Sequence, residues 1–140
     1  MKNNLKQFER LLIIMDDLRE KCPWDKKQTL ESLRHLTIEE TYELCDAIIE
    51  NDLDELKGEI GDLMLHMVFY SKIASEKKAF DIGDVLEFVC DKLVYRHPHV
   101  YGDVIADTEE AVKSNWEKIK LDEKQDSTSF KSVLKGVPNS

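Results

Sequence analysis

The sequence predicts an all-α protein, a helical bundle of about five helices. Charged residues make up 35% of the 140 positions, above the roughly 25% typical of globular domains, as expected for helices with solvated outer faces. Glycine and proline are scarce, at five and three residues, which argues against a β-sandwich or a glycine-rich nucleotide fold. Apolar residues recur at helical spacing, and the first such stripe consists of Leu5, Phe8, Leu12, Met15 and Leu18.

Proline and capping signals delimit the first two predicted helices. The first ends near Cys22, because Pro23 disfavours the helical conformation of the residue before it. The second runs from about residue 30 to residue 50, with Thr29 or Asp25 as its start.

The second predicted helix also carries an internal capping signal. Thr37 and Glu40 have the spacing of a capping box, so the pattern is compatible with a break near Thr37. The residues predicted to face inward are Leu33, Leu36, Tyr42, Cys45 and Ile49.

The third predicted helix is the most apolar segment of the chain. Asp52 and Glu55 have capping-box spacing, and the helix follows over about residues 53–77. Residues 60–70 are apolar nearly all round, so this helix must be covered on most sides. Because five helices of this size cannot cover it alone, we expect oligomerisation to complete the core.

Two further helices and a tail complete the predicted domain organisation. Asp81 and Asp84 introduce the fourth helix, Pro98 ends it, and Asp107 with Glu110 opens a short fifth. The length corresponds to about one domain, which we assign to residues 1–121. Residues 122–140 are predicted to be a polar linker and C-terminal tail.

The chain is acidic, and this limits its partners. Lys and Arg number 20 against 29 Asp and Glu, a formal net charge of −9. This balance argues against binding nucleic acid or an anionic membrane, both of which attract excess positive charge. It fits a protein that binds cations. A polyanionic substrate would need a positively charged group to mediate its binding.

Cysteine usage and hydropathy predict a cytoplasmic protein. Cys22, Cys45 and Cys90 are widely spaced, with no CxxC pair, so we expect reduced thiols and no disulfide framework. The N-terminal apolar run is too short for a signal peptide, and no run approaches the roughly 18 residues that span a bilayer.

Two acidic clusters are the main candidates for chemistry. Glu39, Glu40 and Glu43 form an EExxE pattern, while Glu59 and Asp62 form an ExxD pattern on the next helix. Residues three apart share a helix face, and a short connection makes the two helices antiparallel neighbours. Carboxylates gathered between them would repel unless protonated or bound to a cation, and oxygen ligands select Mg²⁺, Mn²⁺ or Ca²⁺.

Each cluster has a simpler interpretation. An EExxE pattern is usually a solvated helix face. Asp62 stands among apolar residues of the third helix, so its charge requires a metal or an ion-pair partner. The residues alone leave these alternatives open.

The sequence resembles the MazG-type nucleoside triphosphate pyrophosphohydrolases, an all-α family. The matching stretches run from about residue 20 to residue 120: CPWDKKQTLESL, EETYELCDAI, GEIGDLMLHMVF, RHPHVYGD and NWEKIK. The resemblance implies hydrolysis of nucleoside triphosphates to a monophosphate and pyrophosphate, with broad base tolerance and a role in cleaning the nucleotide pool. It also implies dependence on Mg²⁺, with Mn²⁺ as substitute, and a homo-oligomer, most simply a dimer.

The resemblance assigns roles to particular residues. Glu40, Glu43, Glu59 and Asp62 fall on the family's metal ligands, and Glu39 is the neighbouring acid that holds a second metal or orients the attacking water. The substrate-binding candidates are Arg96, Lys120, Lys118 and Trp24.

Each substrate-binding candidate also has an interpretation that involves no substrate. Tyr95 replaces the first of two basic residues that the family commonly has before the HPHV turn, which leaves Arg96 alone. Arg96 could instead offset the helix dipole, the two lysines could lie on a solvated face, and Trp24 could pack in a core or interface.

Three rival interpretations remain. A di-iron oxidase requires ExxH motifs, and none of the residues three before a histidine is acidic. A dUTPase-like or phosphoribosyl-ATP pyrophosphohydrolase sibling is disfavoured by the CPWD and RHPHV segments, and a non-catalytic helical interaction module would bind no Mg²⁺. Chains of the family often continue past the Val137-Pro138 pair, so an end at Ser140 is compatible with a fragment or a trimmed form.

Overall fold

The all-α prediction is confirmed by the computed structural model, which describes residues 1–125. Within that part of the chain the elements are seven helices and no strand: α1 (Lys2–Lys21), α2 (Pro23–Lys27), α3 (Leu30–Ile49), α4 (Leu53–Glu76), α5 (Ile82–Arg96), α6 (Pro98–Tyr101) and α7 (Glu109–Gln125). None of these helices is long and apolar enough to cross a membrane. The predicted tail lies outside the described residues from residue 126 onward.

The five long helices match the predicted ones, and the two short helices were missed. Both α2 and α6 begin with a proline at the first helical position, where its fixed φ favours a helical turn and its missing N–H costs nothing. The same Pro23 and Pro98 that end the preceding helices therefore also start new ones.

Helix α3 is continuous, so no break occurs near Thr37. Its start is capped by Thr29, whose side chain accepts from the backbone of Ser32 at 3.0 Å while the Ser32 hydroxyl accepts from Thr29 N at 2.8 Å. Thr37 lies in mid-helix, and its hydroxyl donates to the carbonyl of Leu33 at 3.3 Å. The capping-box spacing of Thr37 and Glu40 is thus not used as a helix start.

The chain forms two compact units, Met1–Ala79 and a second that begins at Phe80. In the first unit, α3 and α4 are joined by a tight turn around Asn51, which has a left-handed φ of 54°. The backbone N–H of Asn51 donates to Ile48 O and that of Asp52 to Ala47 O, a Schellman-type helix end. This turn folds α4 back along α3.

The core of the first unit is small and belongs to α1, α3 and α4. Its buried apolar residues are Met15, Leu33, Ala47, Val68, Phe69, Ile73 and Ala74. The prediction of inward-facing residues on α3 was right for Leu33 and wrong for Tyr42, Cys45 and Ile49. Tyr42 and Ile49 are 69% and 81% exposed, and Cys45 is exposed as well. The inward side of α3 instead includes the half-buried Thr37 and Glu40, two polar residues that a search for apolar periodicity passes over.

The second unit contains α5, α6 and α7. Helix α5 starts with the predicted capping box of Asp81 and Asp84, whose side chains and backbone amides bond reciprocally at 2.9 and 3.0 Å. Helix α7 is capped differently, because Thr108 Oγ1 accepts from Ala111 N at 3.1 Å. The predicted cap at Asp107 is therefore shifted by one residue.

Arg19 connects three segments of the first unit. Its guanidinium donates to both carboxylate oxygens of Glu76 on α4 at 2.9–3.1 Å. The same group donates to the backbone carbonyls of Asp25, Lys26 and Gln28 at 2.6, 3.1 and 2.9 Å. These bonds hold the α2 segment against α1 and α4. Because the Arg19 side chain is only 15% exposed, solvent screens its charge less than it would screen a surface charge.

Arg19→Lys is expected to lower the free energy of unfolding by about 2 kcal/mol, since an ammonium cannot reproduce the planar fork that reaches five acceptors. Urea denaturation followed by circular dichroism measures this change. Arg10→Lys on the exposed side of α1 is the matched control and should change it by less than about 0.5 kcal/mol. Equal losses in the two variants would contradict the anchoring role.

Candidate metal centre

Three glutamates from two helices form the candidate metal centre. Glu40 and Glu43 lie three positions apart on α3 and so share a face, and Glu59 faces them from α4. Each offers one carboxylate oxygen, and these oxygens all lie within 4.8 Å of one another. The tight turn after α3 brings the two helices together and makes this convergence local in sequence.

The three carboxylates differ in burial. Glu59 is buried, with 5% of its surface exposed, Glu40 is half-buried and Glu43 is exposed. Oε2 of Glu40 and Oε2 of Glu59 are both buried without a hydrogen-bond partner. Since an ionised carboxylate is costly to bury unpartnered, these two oxygens need a proton or a cation.

The pKa of Glu59 reflects the same cost of burying an ionised carboxylate. Hydrogen bonding to the Glu40 carboxyl group, burial and hydrogen bonding to Glu55 raise this pKa from 4.5 to about 8, and the negative charges of Glu40 and Glu43 add to the shift. Two neighbouring carboxyl groups share a proton in this way, so the titration belongs to the pair. A shared proton gives the partnerless oxygens a donor when no cation is bound.

Glu55 is a participant that the sequence analysis used only as a helix-capping signal. It precedes Glu59 by four positions on α4, so the two side chains lie on one face, and their contact contributes to the raised pKa of Glu59. Its spacing to the ExxD pattern was the available signal.

The donor set fits a hard divalent cation. All three groups are carboxylates, and the oxygen-only ligands that they offer suit Mg²⁺ or Mn²⁺. The two buried oxygens without a partner are the structural observation that favours a cation, because solvent does not reach them. Glu40, Glu43 and Glu59 are therefore the residues best placed to hold it.

Asp62 and Glu39, the other two acids of the predicted clusters, lie at exposed positions. Asp62 is not one of the three whose oxygens converge within 4.8 Å in the described part of the chain. The sequence suggested that Asp62 was the embedded acid, but Glu59 is the buried one. The apolar residues next to Asp62 explain the difference, since Ile60 and Met64 are 51% and 43% exposed and do not enclose it.

The predicted substrate-binding residues lie on α2, α5 and α7. Trp24 on α2 is 54% exposed, and Lys118 and Lys120 lie exposed on α7. Arg96 forms a two-pronged ion pair with Glu123 of α7, with N–O distances of 2.8 and 3.2 Å. These hydrogen bonds raise the pKa of Arg96, so its charge is permanent and already partly compensated.

The HPH segment after Arg96 forms a packed corner. His97 Nδ1 lies 2.6 Å from the carbonyl oxygen of Leu93, and the His97 ring makes a T-shaped contact with Trp116, with centroids 5.2 Å apart. His99 lies 5.4 Å from His97, ring centre to ring centre.

Glu59→Gln is expected to stabilise the protein at alkaline pH when a chelator removes divalent cations. Folded Glu59 keeps its proton up to about pH 8, whereas the ordinary pKa is 4.5, so the folded state binds more protons between these values. Raising the pH through this window therefore lowers the free energy of unfolding of the wild type, and glutamine removes that loss.

Thermal unfolding between pH 4 and pH 9 with chelator measures the effect. The melting temperature of Glu59→Gln should exceed that of wild type at pH 9, with a gap that closes toward pH 4. Glu20→Gln, which removes an exposed carboxylate from α1, should show no such trend. A gap that is constant with pH would be inconsistent with the raised pKa.

Comparisons with known proteins agree with this architecture. A family model for the MazG nucleotide pyrophosphohydrolase domain matches residues 28–101, a range that contains both acidic clusters. The crystal structure of a mazG-related protein from Thermotoga maritima superposes with a TM-score of 0.69 at 31% sequence identity, covering 81% of this chain and 98% of that chain.

Named relatives show the same similarity over longer stretches. The chain is 43% identical over 139 residues to the nucleoside triphosphate pyrophosphohydrolase of Escherichia coli K12, covering 97% of this chain and 52% of that protein. It is 48% identical over 119 residues to the nucleoside triphosphate pyrophosphohydrolase/pyrophosphatase MazG of Thermotoga maritima, covering 84% and 45%. The chain thus spans about half the length of these curated relatives. On the extent of the family match, the chain belongs to the MazG nucleotide pyrophosphohydrolase domain family.

Proposed function

We propose that the protein hydrolyses nucleoside triphosphates between the α- and β-phosphates, releasing a nucleoside monophosphate and pyrophosphate in a Mg²⁺-dependent reaction. The observation that carries the proposal is the pair of buried, partnerless oxygens on Glu40 and Glu59, beside Glu43. The names of the relatives from Escherichia coli and Thermotoga maritima support the same reaction. We further propose broad base specificity and a role in cleaning the nucleotide pool.

The proposed cation ligands are Glu40, Glu43, Glu59 and Asp62. Asp62 follows Glu59 by three positions and lies exposed, so it would contribute from the solvent side while Glu59 contributes from the buried side. Bound Mg²⁺, for which Mn²⁺ would substitute, supplies the positive charge that phosphoryl transfer requires at the phosphates. The role of the chain itself is to hold these four carboxylates close to one another.

The remaining site residues would handle water and substrate. Glu39, exposed beside Glu40, would accept a hydrogen bond from the attacking water or serve a second cation. Lys118, Lys120 and Trp24 are exposed and are proposed to steady the triphosphate and stack on the base. Arg96 would contact phosphate only by sharing or exchanging its present partner, Glu123.

The enzyme is proposed to work in the cytoplasm. Its three cysteines, Cys22, Cys45 and Cys90, are all unpaired, and unpaired thiols persist in a reducing compartment. This supports the cytoplasmic expectation from the sequence.

Glu43→Gln and Glu59→Gln are each expected to reduce pyrophosphate release by on the order of 100-fold or more, because each removes a charged cation ligand. Asp62→Asn is expected to behave in the same way. The assay follows pyrophosphate and monophosphate from a panel of NTPs and dNTPs with and without Mg²⁺. Glu50→Gln is the matched control, since it removes an exposed charge at the C-cap of α3, seven positions after Glu43, and should leave turnover within about twofold.

The outcomes of this assay separate the candidate functions. Release of pyrophosphate from several nucleotides, only with Mg²⁺, supports the proposal. Activity confined to dUTP or to phosphoribosyl-ATP would assign the protein to a sibling specificity. No pyrophosphate from any substrate would refute the enzyme proposal in favour of a helical interaction module, and full activity of Glu43→Gln would refute the ligand assignment.

We also propose that the working form is a homo-oligomer, most simply a dimer. Large apolar side chains on α3 and α4 are exposed in the single chain, among them Ile38, Tyr42, Ile49, Ile60, Met64 and Met67. Exposed apolar area of this kind is characteristic of association surfaces. It lies on the same two helices that carry the acidic site.

Light scattering on the purified protein is expected to give at least twice the chain mass of 16.3 kDa. Tyr42→Glu, at a position 69% exposed, should shift the mass toward that of one chain because it puts a charge into the apolar surface. Tyr101→Glu, at a similarly exposed position (67%) in the second unit, is the control. A stable monomer for the wild type at tens of micromolar would refute the oligomer.

A further inference from the structure

A polar contact crosses the interface of α3 and α4 near the acidic site. The hydroxyl of Thr37 on α3 lies 2.9 Å from Nδ1 of His66 and hydrogen-bonds the hydroxyl of Tyr70, both on α4. All three residues are half-buried. These contacts, here called the Thr37 bridge, join the two helices through side chains and differ from hydrogen bonds within one helix.

The Thr37 hydroxyl has enough donor and acceptor positions for all the contacts of the bridge. The Thr37 hydroxyl has one proton and two acceptor positions. The Tyr70 hydroxyl can donate to it, and Thr37 can then donate either to His66 Nδ1 or to the carbonyl of Leu33 at 3.3 Å. Either tautomer of His66 therefore leaves the bridge satisfied, so it can persist as a fixed link.

The bridge lies on the same helix faces as the carboxylates. Thr37 precedes Glu40 by three positions on α3, and His66 follows Glu59 by seven on α4, so each lies on the same helix face as its glutamate. The inward side of α3 therefore presents Thr37 and then Glu40 to α4. A displacement of one helix against the other at the bridge would separate the carboxylates as well.

The carboxylates need such a restraint. Glu40, Glu43 and Glu59 hold oxygens within 4.8 Å of one another, and when ionised these groups repel and push α3 and α4 apart. Apolar packing is non-directional and allows sliding, whereas hydrogen bonds weaken steeply with distance and angle. The hydrogen-bonded link lies about one turn from Glu40 on α3 and about two to three turns from Glu59 on α4, and it resists the displacement that repulsion favours.

We propose that Thr37 and Tyr70 are positioning residues, whose hydrogen bond across α3 and α4 fixes the spacing of Glu40 and Glu59 and thereby sets the affinity for a divalent cation. The proposal rests on the function proposed above, because it takes the carboxylates as cation ligands. It assigns the two residues no contact with the substrate.

Isothermal titration of Mn²⁺ into the purified full chain tests the proposal without measuring catalysis. Thr37→Val keeps the shape of the side chain and removes the bridge, and it should raise the dissociation constant on the order of 10-fold. Tyr70→Phe removes only one partner and should raise it about threefold. Thr37→Ser restores the hydroxyl and should return the constant to within about twofold of wild type.

A control separates positioning from general loosening of the fold. Ser71 on α4 is 4% exposed, and its hydroxyl bonds to Met67 O at 2.8 Å within the same helix. Ser71→Ala therefore removes a buried hydroxyl that does not link α3 to α4. It should leave Mn²⁺ affinity unchanged, and melting temperatures of all variants are measured alongside.

Each outcome bears on the proposal. Loss of affinity in Thr37→Val with recovery in Thr37→Ser and none lost in Ser71→Ala supports it. Unchanged affinity in Thr37→Val, or equal losses in Thr37→Val and Ser71→Ala that follow melting temperature, overturns it. Wild type that binds no Mn²⁺ overturns both this proposal and the metal centre, whereas the expected Mn²⁺ pattern without any nucleotide hydrolysis refutes the proposed reaction alone.

Discussion

The convergence of Glu40, Glu43 and Glu59 across α3 and α4 is the constraint on which the rest of the first unit depends. Their oxygens lie within 4.8 Å of one another, and two of them are buried without a hydrogen-bond partner. Repulsion between them opposes the pairing of the two helices, so that pairing must be stabilised elsewhere. The apolar core of α1, α3 and α4 and the tight turn at Asn51 supply this stabilisation.

The helices could be predicted from the sequence because their signals are local. Proline positions, capping spacing and apolar periodicity place all five long helices, and the Asp81 cap matches residue by residue. The inward face of α3 could not be predicted in the same way. Its polar members Thr37 and Glu40 face α4, and a stripe drawn through apolar residues instead passed through Tyr42, which is exposed.

The acidic site could be predicted from the sequence pattern, but which of its carboxylates is buried could not. Spacing alone indicated that carboxylates on α3 and α4 would face one another. Which acid is buried depends on the rotation of each helix about its own axis. In the structure Glu59 is buried and Asp62 is exposed. The pairing of Arg96 with Glu123 spans 27 positions and has no local signal, so the sequence predicted only a phosphate or the helix dipole as the partner of Arg96.

A net charge of −9 first suggests a protein that repels a triphosphate, and the geometry of the site makes that repulsion conditional. The Glu40 carboxyl group and burial raise the pKa of Glu59 to about 8, as expected where gathered negative charges have nothing positive beside them. A divalent cation would relieve this repulsion and, in the proposed reaction, also present positive charge to the phosphates. The feature that destabilises the cation-free protein is therefore the feature that would make triphosphate binding depend on metal.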